Sequence, residues 1–512
     1  MLNQLRLPVL LVPMFVLVSG VAASLYDLPS FLMFVSGINE WILFHFSDLF
    51  NWASFLFVLT CVWVWFSPLG EVKIGGKNAE PLLSKWQWFS ITLCTTIAIG
   101  ILFWASAEPL FHFYEPPAQS GIEPASPAAA RFAISSLFMH WSITPYAIYT
   151  VPSLAFALAY YNLGKNYSLS GPLSVVWKPL SYRGSRDIFD AIALFALVAG
   201  MAATLGVGIL SIAGGIGLTF GEATKGYLTA AVAIAIIATF TVSSITGLLR
   251  GIRILSDINV RFFFILCGFL LVLGPTGDIF LTGILGIADY AVEFLPRSIG
   301  MGATADDGWQ RSWTSFYWAN WLAWAPITAM FLGRIARGYT VRQFITFNLI
   351  LPAAFAIVWM SIFGASALGA DMAGGALYET LKADGPESVI YALFNTLPYP
   401  SVWIVLFVVL SFVCFVTAAD SNTEAIANVC QKGPDAHRGT KEQGGPTTNL
   451  YMKVIWASLI GITAWTMVTF SGVDGVRMLS NLGGLPGLII VFLMNIALLK
   501  MGTRYLDTIS NA

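Results

Sequence analysis

Two stretches of this chain gather aromatic side chains at helical spacing. HWSITPYAIY holds Trp141, Tyr146 and Tyr149, and WTSFYWANWLAWAP holds Trp313, Phe316, Tyr317, Trp318, Trp321 and Trp324. Ring faces carry a negative quadrupole, so rings converging on one point attract a methylated ammonium, a cation with no N–H to donate. On a continuous helix at 100° per residue, Trp141 and Tyr149 lie roughly 80° apart, while Trp318, Trp321 and Trp324 form one i,i+3 stripe. Two stripes on separate helices make a box. Interfacial aromatic belts are the competing explanation, but a belt residue belongs at the end of a span and these sit inside one.

Other features bear on chemistry. TTIAIG, GMAATLGVGILSIAGGIG and Pro326 mark places where a helix either breaks to offer backbone carbonyls to an ion or simply packs closely on a neighbour. Ionisable groups near apolar runs are Glu108, Asp420 and Arg261, with Glu108 and Arg261 close to expected helix ends, where charge is cheap. The histidines, His45, His112, His140 and His437, form no i,i+4 pair, and the five cysteines form no C-x-x-C, so neither a metal centre nor any other cofactor is expected. No H-E-x-x-H, G-x-S-x-G or Walker loop occurs, which argues against an enzyme.

The elements that must hold these residues are membrane spans. The 512 residues are 57% hydrophobic and 10% charged, against about 25% charged for an average soluble domain. Span-length apolar runs fall near 7–27, 48–67, 86–107, 131–162, 186–214 and 226–250, then near 256–283, 313–335, 341–364, 400–430, 450–471 and 483–501. The first follows Arg6 without a small-residue cleavage site and reads as a span, not a signal peptide. An all-α, polytopic membrane protein of about twelve helices follows, as one transmembrane domain over 1–512 with a polar cytoplasmic loop at 431–449. Of the 26 Lys and Arg, 19 fall on one side, so both termini are expected in the cytoplasm. The stretch 281–300, interrupted by Asp289, Glu293 and Arg297, reads as an interfacial helix. Net charge of −1 argues against a nucleic-acid partner.

The chain resembles the betaine/choline/carnitine transporter family. The resemblance runs through ILFWASAEPLFHFYEPP, HWSITPYAIY, GLLRGIRILSDINV, WTSFYWANWLAWAP with FLGRIARGYTVRQFI, and FVTAADSN. It implies a leucine-transporter-like fold of two inverted five-helix repeats, spans 3–7 and 8–12, behind two N-terminal helices. It also implies a homotrimer in the cell inner membrane. The substrate box it implies comes from spans four and eight: Trp141, Tyr146, Tyr149, Trp321 and Trp324, with Phe103 nearby.

Departures from the family pattern are informative. Asn320 stands where one of two adjacent tryptophans is common, adding a hydrogen-bonding group to the pocket. Thr96, Ile97, Ala98, Ile99 and Gly100 stand where a glycine-rich G-M-G-I-G is common. Thr417 is followed by Ala418, where sodium-coupled relatives have Thr-Ser, so a hydroxyl oxygen is missing. In sodium-independent members a cationic side chain takes over the ion's role, and Arg261 lies in the corresponding region. The expectation is a secondary transporter of a quaternary-ammonium or related zwitterionic solute of the betaine, carnitine or choline class. It works by alternating access and leans towards sodium independence. A non-transporting membrane receptor and a sodium-coupled betaine or amino-acid symporter are the alternatives.

Overall fold

The structure, a computed structural model, describes residues 5–97, 100–220, 225–245, 248–301, 308–431 and 450–510. Its described residues are almost entirely helical, with two isolated bridges, Leu5 to Gln431 and Lys73 to Thr340, as the β pairing among them. A helix satisfies its backbone polar groups internally, the requirement that a hydrocarbon environment imposes.

Helices α1 (Leu7–Tyr26) and α2 (Leu28–Phe66) come first. Both open with a proline in the first turn, where the missing N–H costs nothing, and the Asp27 carboxylate caps α2 by accepting from Ser30 N at 3.2 Å. The third span is two helices, α3 (Lys85–Ile97) and α4 (Gly100–Tyr114), set at 55°. A break was one of the two readings of this small-residue stretch, although Ala98 and Ile99 themselves lie outside the described residues. The fourth span is α5 (Pro127–Trp141), capped by Ser126, and α6 (Ile143–Ala157). They are interrupted at Ser142, whose φ/ψ of −115°/−111° is not helical and whose hydroxyl bonds to the Phe138 carbonyl.

After the short α7 (Ser170–Val176) come α8 (Arg183–Phe220), α9 (Lys225–Ile245), α10 (Leu248–Leu273) and α11 (Thr276–Ser298). The glycine-rich fifth span is one unbroken 38-residue helix, α8. Its small residues serve close packing, since a Cβ built on Gly200 would meet the Trp324 ring and one on Gly215 the Tyr391 ring. Likewise Pro326 sits inside an uninterrupted α12 (Phe316–Ile335). Next are α13 (Val341–Ile345), opened by a Thr340–Gln343 capping box, and α14 (Leu351–Ala370). The chain closes with α15 (Leu377–Asp384), α16 (Pro386–Asn395), α17 (Pro400–Val429) and α18 (Leu450–Ser510).

Among the described residues ten helices are long and apolar enough to cross a membrane, or eleven with the bent α3–α4 pair. The shortfall from about twelve has physical causes. α12 is rich in Trp and Tyr and buried along nearly its whole length, so it needs no lipid-compatible surface. The described apolar part of α9, Tyr227–Thr239, is short. α11, expected along the interface, is itself long and apolar enough to span. The two last spans fall within α18, which contains apolar windows at Tyr451–Thr469 and Asn481–Tyr505. Of the loop expected at 431–449, residues 432–449 lie outside the described ones.

Burial sorts the helices into centre and rim. In the span over Pro127–Asn162, 94% of the apolar window is buried, against 28% for α1 and 22% for α11. α1 and α11 turn Phe15, Val292 and similar side chains outward, which costs nothing in lipid. The N-terminus is fastened: Arg6 is buried, donating to Asp187 and Asp190 of α8 at 2.6 Å each and to the Val429 carbonyl of α17 at 3.0 Å.

Candidate functional site

The α5–α6 interruption and α12 bring the two aromatic stripes together. Because the helix breaks at Ser142, Trp141 and Tyr149 are not on one continuous helix, and the 80° reading does not hold. Instead both rings stand nearly perpendicular to Trp321. Trp141 lies 5.3 Å from it at 84°, and Tyr149 lies 5.7 Å from it at 87°. The Trp321 indole N–H is held by the His140 carbonyl at 3.1 Å. Trp141, Tyr146, Tyr149, Trp321 and Trp324 are each 5% exposed or less, so this is a shut arrangement of rings.

Tyr146 shares a hydrogen bond with Thr96 at the end of α3. Trp141 lies over Gly100, where a built Cβ would come 2.8 Å from the ring, so the glycine opening α4 gives the indole its room. Trp324 packs on Gly200 of α8, where a built Cβ would likewise come 2.8 Å from the ring. Phe103 is buried beside Trp104, 4.9 Å away, and Trp104 in turn faces Tyr317. Asn320 is half-buried, one residue before Trp321.

The ion-site residues do not converge. The Thr417 hydroxyl donates to its own helix at Val413 O, 2.8 Å away, and Ala418 is buried beside it. One turn on, Ser421 meets Thr95 of α3 at 3.2 Å, and Asn422 accepts from Thr328 of α12 at 2.7 Å. Arg261 is on the outside of α10, 68% exposed and paired with Asp257 at 2.9 Å. That is the placement of an interfacial arginine whose stem covers apolar surface.

Glu108 is the residue that sequence reasoning undervalued. It was expected near a helix end, yet α4 runs on to Tyr114, leaving the carboxylate in mid-helix and fully buried. It accepts from Trp141 Nε1 at 2.8 Å, from the Tyr317 hydroxyl at 2.5 Å, and lies 2.6 Å from His140 Nδ1 and 3.2 Å from His112 Nε2. The other nitrogen of His140 meets Thr314 at 3.0 Å. Four side chains from three helices thus share one carboxylate. The available signal was Glu108 and His112 at i,i+4, which places them on one helix face. The absence of paired histidines hid it, because His140 arrives from another helix. Glu108, His112 and His140 lie close together, their polar atoms within 4.8 Å of one another, and both carboxylate oxygens and both His140 nitrogens are already engaged in hydrogen bonds. Their contacts to one another, to Trp141 and to Tyr317 form a hydrogen-bond network in which His112 Nδ1 is left without a partner among the described residues.

Comparison with known proteins gives one consistent result. A family model described as BCCT, betaine/carnitine/choline family transporter, matches residues 8–505. An ectoine/hydroxyectoine transporter of Virgibacillus pantothenticus is 32% identical over 470 residues, 90% of each chain. Glycine betaine transporter 1 of Vibrio parahaemolyticus is 32% identical over 467 residues, 90% of this chain and 86% of its own. A betaine/ectoine transporter of Corynebacterium glutamicum is 28% identical over 477 residues, 91% of this chain and 72% of its own.

Proposed function

Since the chain belongs to the betaine/carnitine/choline transporter family, we propose that it carries a quaternary-ammonium or related zwitterionic solute across the cell inner membrane by alternating access. The supporting observation is the convergence of Trp141 and Tyr149 on Trp321, from two helices, in the buried centre of the bundle. A methylammonium held there would meet ring faces in a buried site, where cation–π attraction is strongest. Glycine betaine and ectoine, named for the relatives, join carnitine and choline as candidates, since the ring amidinium of ectoine is also a delocalised cation. Tyr146, Trp324 and Phe103 complete the surroundings. Asn320 selects for a polar group beyond the ammonium.

One transport domain, 1–512, uses two inverted repeats, spans 3–7 and 8–12, and exposes the box to each side in turn. Both termini face the cytoplasm, and the apolar outer face of α11 joins copies into a trimer. Transport is sodium-independent, by exchange or proton coupling. Ala418 lacks the hydroxyl a hard cation uses, and the Thr417 hydroxyl is committed to Val413 O. Arg261, exposed at the rim, has no part in this account. The Thr95–Ser421 contact is what favours the rival sodium-coupled reading, because it sets two hydroxyl oxygens beside the α3–α4 break.

The test is a binding screen of N-methylated and unmethylated solutes on purified protein, followed by counterflow of the tightest binder in proteoliposomes. Binding with exchange across the bilayer is expected. Binding without exchange makes the protein a receptor, and preference for unmethylated amino acids removes the box.

A further inference from the structure

We propose that the Glu108–His112–His140 cluster is the proton-binding site of this transporter, and that it governs substrate entry through its hold on Trp141. This rests on the transport reading above and supplies the residues for its proton-coupled form.

The geometry is that of a device with a variable proton count. His140 Nδ1 and His112 Nε2 both approach the same oxygen, Glu108 Oε1. Trp141 and Tyr317 both donate to the other, Oε2. With both imidazoles neutral and donating to Oε1, the far nitrogen of His140 is engaged with Thr314. That of His112, Nδ1, is buried with no hydrogen-bond partner among the described residues. A lone pair left bare in a buried site is an acceptor waiting for a proton. His112 stands one turn beyond Glu108, towards Tyr114 and the end of α4.

The neighbouring charges leave this role open. Arg297 of α11 is the nearby cation, but its guanidinium donates to Ser135 at 3.0 Å and Ser136 at 2.6 Å and covers the Phe132 ring at 4.8 Å. On α11, Tyr290 is bonded to Ser142. At the end of α4, Tyr114 donates to Asp371 at 2.7 Å, and Glu115 accepts from Tyr378 of α15 at 3.0 Å.

The connection to substrate is direct. Ionised Glu108 grips the Trp141 indole with a charge-assisted bond and holds the ring edge-on to Trp321, the shut form of the box. A proton entering at His112 and passing to the carboxylate converts that acceptor to a neutral one, whose bond is about half as strong. Trp141 is then released to turn its face to the solute. The proton and the solute move together, and the proton leaves the same carboxyl on the other side when the solute has gone. No covalent bond other than the O–H and N–H bonds carrying the proton changes. Proton binding therefore favours solute binding, and affinity falls as pH rises.

The experiment uses the full-length protein in proteoliposomes, in sodium-free potassium buffer at zero membrane potential, with labelled glycine betaine and ectoine as probes and trapped pyranine reporting internal pH. A gradient of one pH unit, alkaline inside, should give about tenfold accumulation at one proton per solute, and solute addition should acidify the interior. E108Q should lose both signals. It should still exchange label in counterflow, with an affinity that no longer falls as pH rises, because the neutral glutamine stands in for the protonated carboxyl and its carbonyl can accept from Trp141. Exchange by the unaltered protein without accumulation or acidification overturns the coupling and leaves the transport reading standing. Absence of binding and exchange for every probe fails the transport reading and the coupling with it. Retention of the proton signals in E108Q overturns the assignment to this cluster. If E108Q does not fold, H112Q decides, since it leaves every contact to Trp141 in place. Loss of its proton signals supports the assignment and their persistence overturns it.

Discussion

Trp321 donates its indole N–H to the backbone carbonyl of His140, 3.1 Å away, while the His140 ring lies 2.6 Å from Glu108. One residue of α5 thereby holds a box ring through its backbone and the buried carboxylate through its side chain. The aromatic site and the ionisable cluster are a single construction, and perturbing either should be read in the other.

Trp141→Leu, Trp321→Leu and Trp324→Leu should each weaken solute binding by about 1–2 kcal/mol, the range for a desolvated cation over a ring. Expression should be retained, while thermal unfolding in detergent should move down for Trp141→Leu, which takes a donor from the buried Glu108 carboxylate. Titration calorimetry measures the binding. Unaltered affinity in two of the three would remove the box from the account. Tyr146→Phe keeps the ring face and should be tolerated, while Tyr146→Leu should not.

Gly200→Ala should mimic loss of Trp324. A Cβ at position 200 would lie 2.8 Å from Cδ1 and Nε1 of that ring, closer than such contacts allow, so the indole must move. Gly184, on the same helix, has nothing within 4 Å of a built Cβ, and Gly184→Ala is the matching control. Equal solute affinity in the two variants would show that the seat of Trp324 does not matter for binding.

Replacing sodium by potassium at fixed pH and zero membrane potential should leave solute binding and counterflow unchanged. A collapse of either would restore an ion site at Thr417, Ser421 and Thr95.

Asn320→Trp should change the rank order of solutes, penalising choline and carnitine, which carry a hydroxyl, relative to glycine betaine, which does not. Competition binding across the solute panel reads this. An unchanged order would mean that the amide serves a neighbouring helix.

Arg6→Ala should destabilise the protein by about 3–5 kcal/mol, the cost of stranding a buried charge. Asp190 is fully buried, and with Arg6 gone it retains only Ser168 Oγ at 2.7 Å and Leu169 N at 3.1 Å. Thermal unfolding in detergent measures the loss. The double variant R6M/D190N should recover much of it, and a double variant as unstable as the single would count against the ion pair.

Much of this was legible in the sequence because it depends on composition and local spacing. Apolar runs of about 20 residues announce spans wherever a helix meets lipid. That signal fades for α12, whose surroundings are protein and whose faces carry Trp and Tyr. The aromatic residues proposed to form the box were visible in the sequence as types. Their arrangement was not. The turn at Ser142 swings Trp141 away from the direction that helical periodicity assigns it, and periodicity cannot register a single non-helical residue. Glu108 was misjudged because burial is a property of the neighbours. Nothing within its own helix tells that His140 and Tyr317 close over it from elsewhere.

The fastening of Arg6 also bears on how the chain is made. Its partner on α17, the Val429 carbonyl, is synthesised 423 residues later. At roughly 5–20 residues per second that is a wait of tens of seconds. For that time α1 sits in the bilayer with its first contact incomplete, held first by Asp187 and Asp190 of α8 and only afterwards by α17. The oldest part of the nascent protein thus waits for α17 before its contacts close, with α18 (Leu450–Ser510) still to be made.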